Sequence, residues 1–239
     1  MIALLAVLAA AATSLVQSGA LIYAIHCAFC HGADLNGTSD GPTLRGVGAA
    51  AVDFMLRTGR MPLEVPDTQP YSAPPQLTPQ QIAALTEYVV AHGASTGPPI
   101  PEVHPSAAFV ERGRMLFDDN CEACHGALGT GAIAGFGWLA PNMHADGPQE
   151  IADAVRFGPG VMPQYGPNLI DENDLNALVS YVLSFRNPQN AGGFSLESAG
   201  PVGEGLFAWI FGVGSCSIVM VLVGETLRTK QHPPRDEPR

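Results

Sequence analysis

Positive charge is scarce in this chain. Its 239 residues include 11 lysines and arginines against 22 aspartates and glutamates, which gives a formal net charge of −11 at pH 7. Residues 1–204 hold seven arginines, no lysine and 19 acidic residues, so their net charge is −12. A surface of this sign excludes nucleic acid as a partner. It would steer a basic protein toward the chain, or it would serve solubility alone.

Charge is absent altogether from residues 205–224, between Glu204 and Glu225. Twenty uncharged, mostly apolar residues are long enough to span a bilayer as one helix. The alternative is a buried core helix, but domains as small as those that precede it could not cover such a helix on all sides. We therefore predict a C-terminal transmembrane helix at 205–224. Four basic residues follow it (Arg228, Lys230, Arg235 and Arg239), and the positive-inside rule places the tail 225–239 in the cytoplasm and the preceding domains outside.

Residues 1–16 also lack charge, and they are apolar and rich in alanine. They have no basic region of the kind that begins a signal peptide, and they are short for a full membrane span. We interpret them as the remnant of a signal or anchor segment, or as a minimal export segment. Either interpretation sends the following residues to the outer side.

Cysteine is rare, but four of the five cysteines form two copies of the motif Cys-x-x-Cys-His. Helix positions i, i+3 and i+4 share one face, so two thiols can add to the two vinyl groups of one porphyrin while the histidine turns toward the iron. The motifs therefore predict two covalently bound haem c groups. The attachment residues are Cys27 and Cys30 for one haem and Cys121 and Cys124 for the other, and the axial histidines are His31 and His125.

Two other kinds of site share the Cys-x-x-Cys pattern. A thioredoxin-like redox pair requires a βαβ setting, and the surrounding sequence has no such strand pattern. A structural zinc site requires a fourth ligand nearby, and none lies near either motif. Both readings are therefore disfavoured.

The two motifs belong to an internal repeat. Gly19, Tyr23 and Cys27 recur 94 positions later as Gly113, Phe117 and Cys121. Tyr88 likewise corresponds to Tyr181 in a later apolar run. Each unit is predicted to contain an N-terminal helix that ends in the haem motif, a Gly/Pro-rich loop, a middle helix, a Met-bearing loop and a closing helix. The glycine and the aromatic residues predict that the first and last helices of each unit cross in close contact.

Helix-end signals set the boundaries. Thr78 is followed by proline and by Gln81, which predicts a capping box, and Asp171 opens a similar helix. The predicted segments, in chain order, are an apolar signal or anchor remnant (1–16), a first domain (17–93) and a Pro-rich semi-rigid linker (94–106). A second domain (107–188), a tether (189–204), the transmembrane helix (205–224) and the tail (225–239) follow.

A methionine-proline pair lies in the loop before each closing helix, at Met61 and at Met162. A thioether is an established axial ligand of haem iron, so we predict that these two methionines are the sixth ligands. Met143 is the rival in the second domain, and Met55 is a weaker one in the first that we interpret as a packing residue. Histidine and methionine together fill both axial positions, which predicts electron transfer at moderately high potential and no activation of small molecules at the iron.

On these residues the chain resembles the dihaem cytochrome c subunit of the actinobacterial cytochrome bcc complex, a quinol:cytochrome c oxidoreductase. The likeness covers nearly the whole chain, and it is most specific over residues 27–62, which include the runs CHGADLNG and GPTLRGVGAAAVDF. The resemblance implies an all-α fold with two tandem class I cytochrome c domains and one C-terminal transmembrane helix. The uncharged N-terminus departs from the family, which usually has a basic head and a fuller apolar segment.

The resemblance also implies partners and a direction of electron flow. Cytochrome b oxidises quinol, a Rieske iron-sulfur protein passes one electron to the first haem (His31, Met61), and the second haem (His125, Met162) delivers it to the copper centre of an aa-type cytochrome c oxidase. The chain would then be an electron-transfer subunit of the cell membrane, with no catalytic residues and no catalysis on its own. Other classes stay open: a dihaem subunit of another respiratory oxidase or of a membrane dehydrogenase, and a redox sensor or haem peroxidase with an open iron site.

Overall fold

The computed structural model describes residues 19–66, 69–135, 137–186 and 200–231. The predicted segment 1–16, most of the tether and the tail beyond residue 231 lie outside this part of the chain. The elements, in chain order, are α1 (residues 19–26), α2 (Ala28–His31), α3 (Ala49–Arg57), α4 (Pro79–Val89) with a π-helical turn (Val90–Ala94), a 3-10 turn (Ala107–Phe109), α5 (Val110–Asn120), α6 (Glu122–His125), β1 (Ala132–Gly135), β2 (Trp138–Ala140), α7 (Pro148–Phe157), α8 (Glu172–Ser184) and α9 (Gly200–Gln231).

The first and last helices of each domain cross in contact, as the repeat predicts. A Cβ atom on Gly19 would lie 2.2 Å from the carbonyl oxygen of Ala84 in α4, and one on Gly113 would lie 2.0 Å from that of Ala177 in α8. No side chain fits at either distance, so glycine is required for the backbones to approach this closely.

Aromatic rings pack beside each crossing. The ring centroids of Tyr23 and Tyr88 are 5.5 Å apart, and those of Phe117 and Tyr181 are also 5.5 Å apart. Tyr23 and Phe117 are almost fully buried. Such ring pairs stabilise the packing beyond the apolar area they bury, so the crossing predicted from the repeat is confirmed in both domains.

The predicted helix caps are present. The Thr78 side chain accepts a hydrogen bond from the Gln81 amide, and the Gln81 side chain accepts one from the Thr78 amide, which completes the capping box of α4. Asp171 accepts from the amide of Asp174 at 2.8 Å and caps α8. The N-termini of both closing helices are therefore fixed by residues within four positions of each other.

A small β-hairpin interrupts the haem-side loop of the second domain. β1 and β2 pair antiparallel, with Ala132 opposite Ala140 and Ile133 opposite Leu139, and a bulge precedes Gly135. The sequence predicts a Gly/Pro-rich loop in this region. Its side chains do not alternate in polarity, so the periodicity that indicates a strand is missing.

The two domains pack on each other through their middle helices, α3 and α7. The ring centroids of Phe54 and Phe157 are 5.2 Å apart, and the Arg60 guanidinium lies 4.5 Å from the Phe54 ring centroid. Arg60 also approaches Glu150 at 3.5 Å. The two domains share one compact unit, which ends at residue 188.

The predicted linker is tied to both domains rather than extended into solvent. The Pro98 carbonyl accepts from the Ala50 amide at 3.1 Å, and the Pro101 carbonyl accepts from Gln149 Nε2 at 3.1 Å. The first of these bonds reaches α3 and the second reaches α7, so the linker bridges the domain contact.

α9 belongs to a second compact unit. Its segment Gly205–Thr226 has 22 residues with a mean hydropathy of 2.3 and no buried side chains, and it is long and apolar enough to cross a membrane. At 1.5 Å per residue it extends about 33 Å, which matches a hydrocarbon core of about 30 Å. The Ser217 hydroxyl donates to the Val213 carbonyl at 2.8 Å, so this polar group is satisfied within the helix.

Candidate haem-binding sites

A cavity of about 800 Å³ opens in the first domain, and Cys27, His31 and Met61 lie on its wall. Leu85 and Val89 of α4 supply part of its apolar lining. The volume falls within the range of cofactor sites in proteins. Haem c requires two thiols, an imidazole and a thioether. The Cys27 thiol, the His31 imidazole and the Met61 thioether lie on this wall, and the Cys30 thiol lines an adjoining recess, so the residues present fit this cofactor.

The axial histidine of the first motif is held in one orientation. His31 is buried, and its Nδ1 lies 2.8 Å from the Pro42 carbonyl oxygen. An Nδ1–H that donates to this carbonyl leaves Nε2 free to bind a metal, and such a second bond fixes the ring and raises its basicity.

The second motif repeats this arrangement. His125 Nδ1 lies 3.4 Å from the Pro141 carbonyl oxygen, and the backbone after both histidines turns in the same way, with Gly37 and Gly131 each donating to the histidine carbonyl at 2.9 Å. The sequence reasoning missed the two prolines. Their separations from the histidine are 11 and 16 residues, so no fixed spacing indicates them.

The first cysteine of each motif is buried against its core. The pKa of Cys27 is raised to about 11 and that of Cys121 to about 12, mainly because both thiols are buried. Catalytic Cys-x-x-Cys thiols have lowered pKa values because they must ionise to react. The shift here has the opposite sign, which disfavours thiol-disulfide exchange.

The methionines of the first domain lie as the sequence indicates. Met61 follows α3 in the loop before α4, and its amide donates to the Met55 carbonyl at 2.9 Å. Met55 lies on α3 and also lines the cavity. The structure thus brings Cys27, His31 and Met61 to one cavity, and the assignment of Met61 as the sixth ligand stays a prediction.

In the second domain the repeat separates the two candidate methionines. Met143 follows Pro141 by two positions, as Leu44 follows Pro42. The Met143 amide donates to the Gly129 carbonyl at 2.8 Å. The Leu44 amide makes the corresponding bond in the first domain, to the Leu35 carbonyl at 2.9 Å. Met143 therefore corresponds to a packing residue on the histidine side of the site.

Met162 lies in the opposite loop, after α7. It is half-buried and packs, together with Cys121 and Tyr165, against the core of the second domain. The Tyr165 hydroxyl donates to the Asn120 carbonyl at 3.1 Å, so this loop is tied to the end of the helix that carries the haem motif. The correspondence of Met143 with Leu44 argues against Met143, and the assignment of Met162 as the sixth ligand stays a prediction.

Comparison with known proteins agrees with this geometry. Residues 16–92 match the family model of cytochrome c, and residues 108–182 match that of subunit III of cbb3-type cytochrome c oxidase. The cytochrome bc1 complex cytochrome c subunit of Corynebacterium efficiens is 33% identical over 230 residues, which cover 90% of this chain and 76% of the relative. The subunit of the same name from Mycobacterium leprae is 32% identical over 210 residues, 84% of this chain and 72% of the relative.

The chain belongs to the family of cytochrome bc1 complex cytochrome c subunits. The resemblance seen in the sequence is confirmed, and so is the fold class of two cytochrome c domains with one candidate transmembrane helix. Membership makes this chain an electron-transfer subunit whose cytochrome c domains bind haem c and whose apolar helix serves as a membrane anchor. A more distant relative, the cbb3-type cytochrome c oxidase subunit CcoP of Rhodobacter capsulatus, is 30% identical over 200 residues, 72% of this chain and 63% of that protein.

Proposed function

We propose that this chain carries electrons from the Rieske centre of a quinol:cytochrome c reductase to an aa-type cytochrome c oxidase, using two haem c groups. The observation that carries the proposal is the repeated site. Each domain holds a Cys-x-x-Cys-His helix whose histidine Nδ1 faces a proline carbonyl, at 2.8 Å in the first domain and 3.4 Å in the second. The two domains pack on each other within one compact unit, as a fixed relay requires.

The chain's own residues would hold and tune the cofactors. Each haem, when bound, supplies one-electron chemistry through the ferric and ferrous forms of its iron. Cys27 and Cys30 would hold the first haem covalently, and His31 and Met61 would fill its axial positions. An imidazole and a thioether on the same iron exclude small-molecule ligands and favour a moderately high potential.

The second site would work in the same way. Cys121 and Cys124 are the attachment residues, and His125 and Met162 are the axial ligands. With these ligands in place, neither iron would be open to a small molecule, and the chain would transfer electrons only as part of a complex. Cytochrome b would oxidise quinol, and the oxidase would reduce oxygen.

Charge supports an outer location for the haem domains. The apolar segment Gly205–Thr226 is followed by basic residues, of which Arg228 is exposed. Basic residues that flank a span remain on the cytoplasmic side. The acidic domains before the span would then lie outside, where their net charge of −12 over residues 1–204 favours a partner with a basic docking surface.

Co-purification tests this function. The chain is tagged at its C-terminus, native membranes are solubilised in a mild detergent, and the recovered subunits are identified. We expect cytochrome b, the Rieske protein and an aa-type oxidase, and we expect added quinol to reduce both haems of the recovered complex. Recovery with a dehydrogenase, or recovery of the chain alone, would contradict the proposal.

A second candidate rests on a specific match. Residues 108–182 match subunit III of cbb3-type oxidases, so the chain would instead deliver electrons directly within an oxidase. The same purification separates the two functions, because an oxidase subunit would be recovered with oxidase polypeptides and without cytochrome b or the Rieske protein.

A further inference from the structure

The cavity of the first domain is completed by residues of the second domain. Arg156, at the end of α7, lines it together with Gln164 and Glu172. Arg156 is the one arginine or lysine among the described residues of the cavity wall, and it is only 3% exposed. A buried cation from one domain thus faces the cofactor cavity of the other.

The surroundings of Arg156 leave part of its guanidinium uncommitted. Nη1 donates to the Tyr165 carbonyl at 3.0 Å and to the Ile170 carbonyl at 2.6 Å, and Nη2 donates to Glu172 Oε1 at 2.8 Å. These bonds use three of the five N–H groups of an arginine. Glu172, its carboxylate partner, is 57% exposed, whereas the Arg156 side chain is 4% exposed. A buried guanidinium is costly without close anionic partners, so a second carboxylate at this wall would be stabilising.

The cavity has two separate ends. A smaller recess of about 80 Å³ shares Cys27, His31 and Met61 with the main cavity and adds Cys30 and Pro62. No described residue of the linker or of the second domain lines this recess. Residues 96–99 and 101 of the linker line the main cavity along with Arg156, so Arg156 and Cys30 lie on different parts of the wall.

Porphyrin chemistry gives these two ends different partners. The vinyl-derived positions that bind cysteine lie on one edge of the macrocycle, and the two propionate carboxylates lie on the opposite edge. A macrocycle anchored at Cys27 and Cys30 therefore presents its carboxylates to a wall away from Cys30. Arginine is the side chain best suited to such a carboxylate, because its planar fork forms two parallel charge-assisted hydrogen bonds.

We propose that Arg156 of the second domain binds a propionate of the haem held by the first domain. The contact would make the first site dependent on the second domain and would set the potential of the first haem. It rests on the proposed binding of haem at Cys27, Cys30, His31 and Met61. Because a nearby positive charge disfavours the more positive ferric form, Arg156 raises the reduction potential of that haem.

Spectroelectrochemical titration of the purified, haem-loaded full chain tests the proposal. Met61→Ala identifies which of the two potentials belongs to the first haem. We expect Arg156→Gln to lower that potential by about 59 mV, which is a tenfold change in the equilibrium constant for one-electron reduction of the haem. We expect the other potential to stay unchanged, and Arg156→Lys, which keeps the charge, to restore most of the shift.

Two further variants complete the test. Glu172→Gln removes a carboxylate that partly offsets Arg156, so it should raise the potential of the first haem, and the glutamine amide oxygen can still accept the hydrogen bond from Arg156 Nη2. Arg112→Gln breaks an exposed ion pair of the same domain, with Asp174 at 2.7 Å, and should move neither potential.

Unchanged potentials in both Arg156→Gln and Glu172→Gln would overturn the proposal, because Arg156 would then only tie the loop at Tyr165 and Ile170 in place. An equal shift of both potentials would also overturn it. The number of covalently bound haems is measured on the wild-type chain. Fewer than two haems would contradict the proposed function. Two haems whose potentials do not change in the variants would contradict only the role of Arg156.

Discussion

Asp53 of α3 and Asp153 of α7 face each other across the contact between the two domains, at corresponding positions of the repeat. Each lies five residues before the C-cap of its helix, which is Thr58 in one domain and Gly158 in the other. The two carboxyl groups are 3% and 0% exposed. Arg57 donates to both oxygens of Asp53, at 2.7 and 2.8 Å.

Asp153 has the opposite environment. Its Oδ1 accepts from Gln149 Nε2 at 3.0 Å, whereas its Oδ2 is buried and has no donor in the described structure. Burial, followed by the nearby Asp53 carboxylate, raises the pKa of Asp153 to about 8. A proton on Oδ2 would supply the missing donor and would bond to the nearby Asp53 carboxylate, which would link the two domains.

This pair predicts a pH dependence of stability. Because the pKa of Asp153 is about 8 in the folded chain against 3.8 as the ordinary value, its stabilising contribution is full below pH ~4 and is lost as pH rises through ~8. Asp153→Asn stays neutral at every pH and can still donate to Asp53. We expect the melting temperature of the variant to exceed that of the wild type increasingly from pH 5 to about pH 8 and to level off above it, by roughly 2–4 °C for each kcal/mol regained.

Glu111→Gln is the control for this experiment, since Glu111 forms an exposed pair with Arg114 at 2.7 Å and its removal should change stability little. Melting is followed by absorbance of the haem-loaded chain. A constant difference between Asp153→Asn and wild type across this pH range would contradict a shared proton.

The helix crossings predict an intolerance to added volume. Gly113→Ala places a methyl group 2.0 Å from the Ala177 carbonyl oxygen, so α5 and α8 must separate. We expect a loss of at least ~1–3 kcal/mol of stability, the usual cost of overpacking, measured as a lower melting temperature of the haem-loaded chain.

The matched control is Gly147→Ala. Gly147 precedes α7 with a φ of −79°, and a Cβ atom there would meet no atom within 4 Å. We expect a loss of at most about 1 kcal/mol, because there is room for the methyl group and the remaining cost is that alanine caps a helix less well than glycine. Equal effects of the two substitutions would mean that the crossing tolerates a side chain.

Sequence reasoning worked where the signal lies within a few residues. The capping box at Thr78, the cap at Asp171 and the glycine-aromatic frame at Gly113 each follow from local spacing, and the structure places them as expected. These features depend on backbone geometry that a short segment sets by itself.

It failed where the signal depends on residues far apart. The contact of Phe54 with Phe157 and the approach of Asp53 to Asp153 join positions about 100 residues apart, and each helix alone looks like an ordinary amphipathic segment. The Pro42 and Pro141 carbonyls were missed because loops of different length carry them to the histidines. The roles of Met61 and Met162 stay predictions that ligand-sensitive spectroscopy must test.

A difference between the two domains predicts the value of one hydrogen bond. The Tyr23 hydroxyl donates to the Gly32 carbonyl at 2.6 Å, and the corresponding residue of the second domain, Phe117, has no hydroxyl. Removing the donor leaves a carbonyl without this partner, so Tyr23→Phe should destabilise the first domain by about 0.5–1.5 kcal/mol. The measurement is denaturant unfolding followed by haem absorbance. Tyr181→Phe, at a ring packed beside Phe117, is the control, and an equal loss there would show that the hydrogen bond to Gly32 is not the cause.

The axial ligands give the sharpest test of the candidate sites. Met61→Ala and Met162→Ala should each open one iron position, so that the reduced chain binds carbon monoxide at one haem and the potential of that haem falls. Met143→Leu should leave both potentials and the carbon monoxide response as in the wild type, because Met143 corresponds to the packing residue Leu44. If Met143→Leu opens a site and Met162→Ala does not, the ligand of the second haem is Met143, and the loop after α7 has only a structural role.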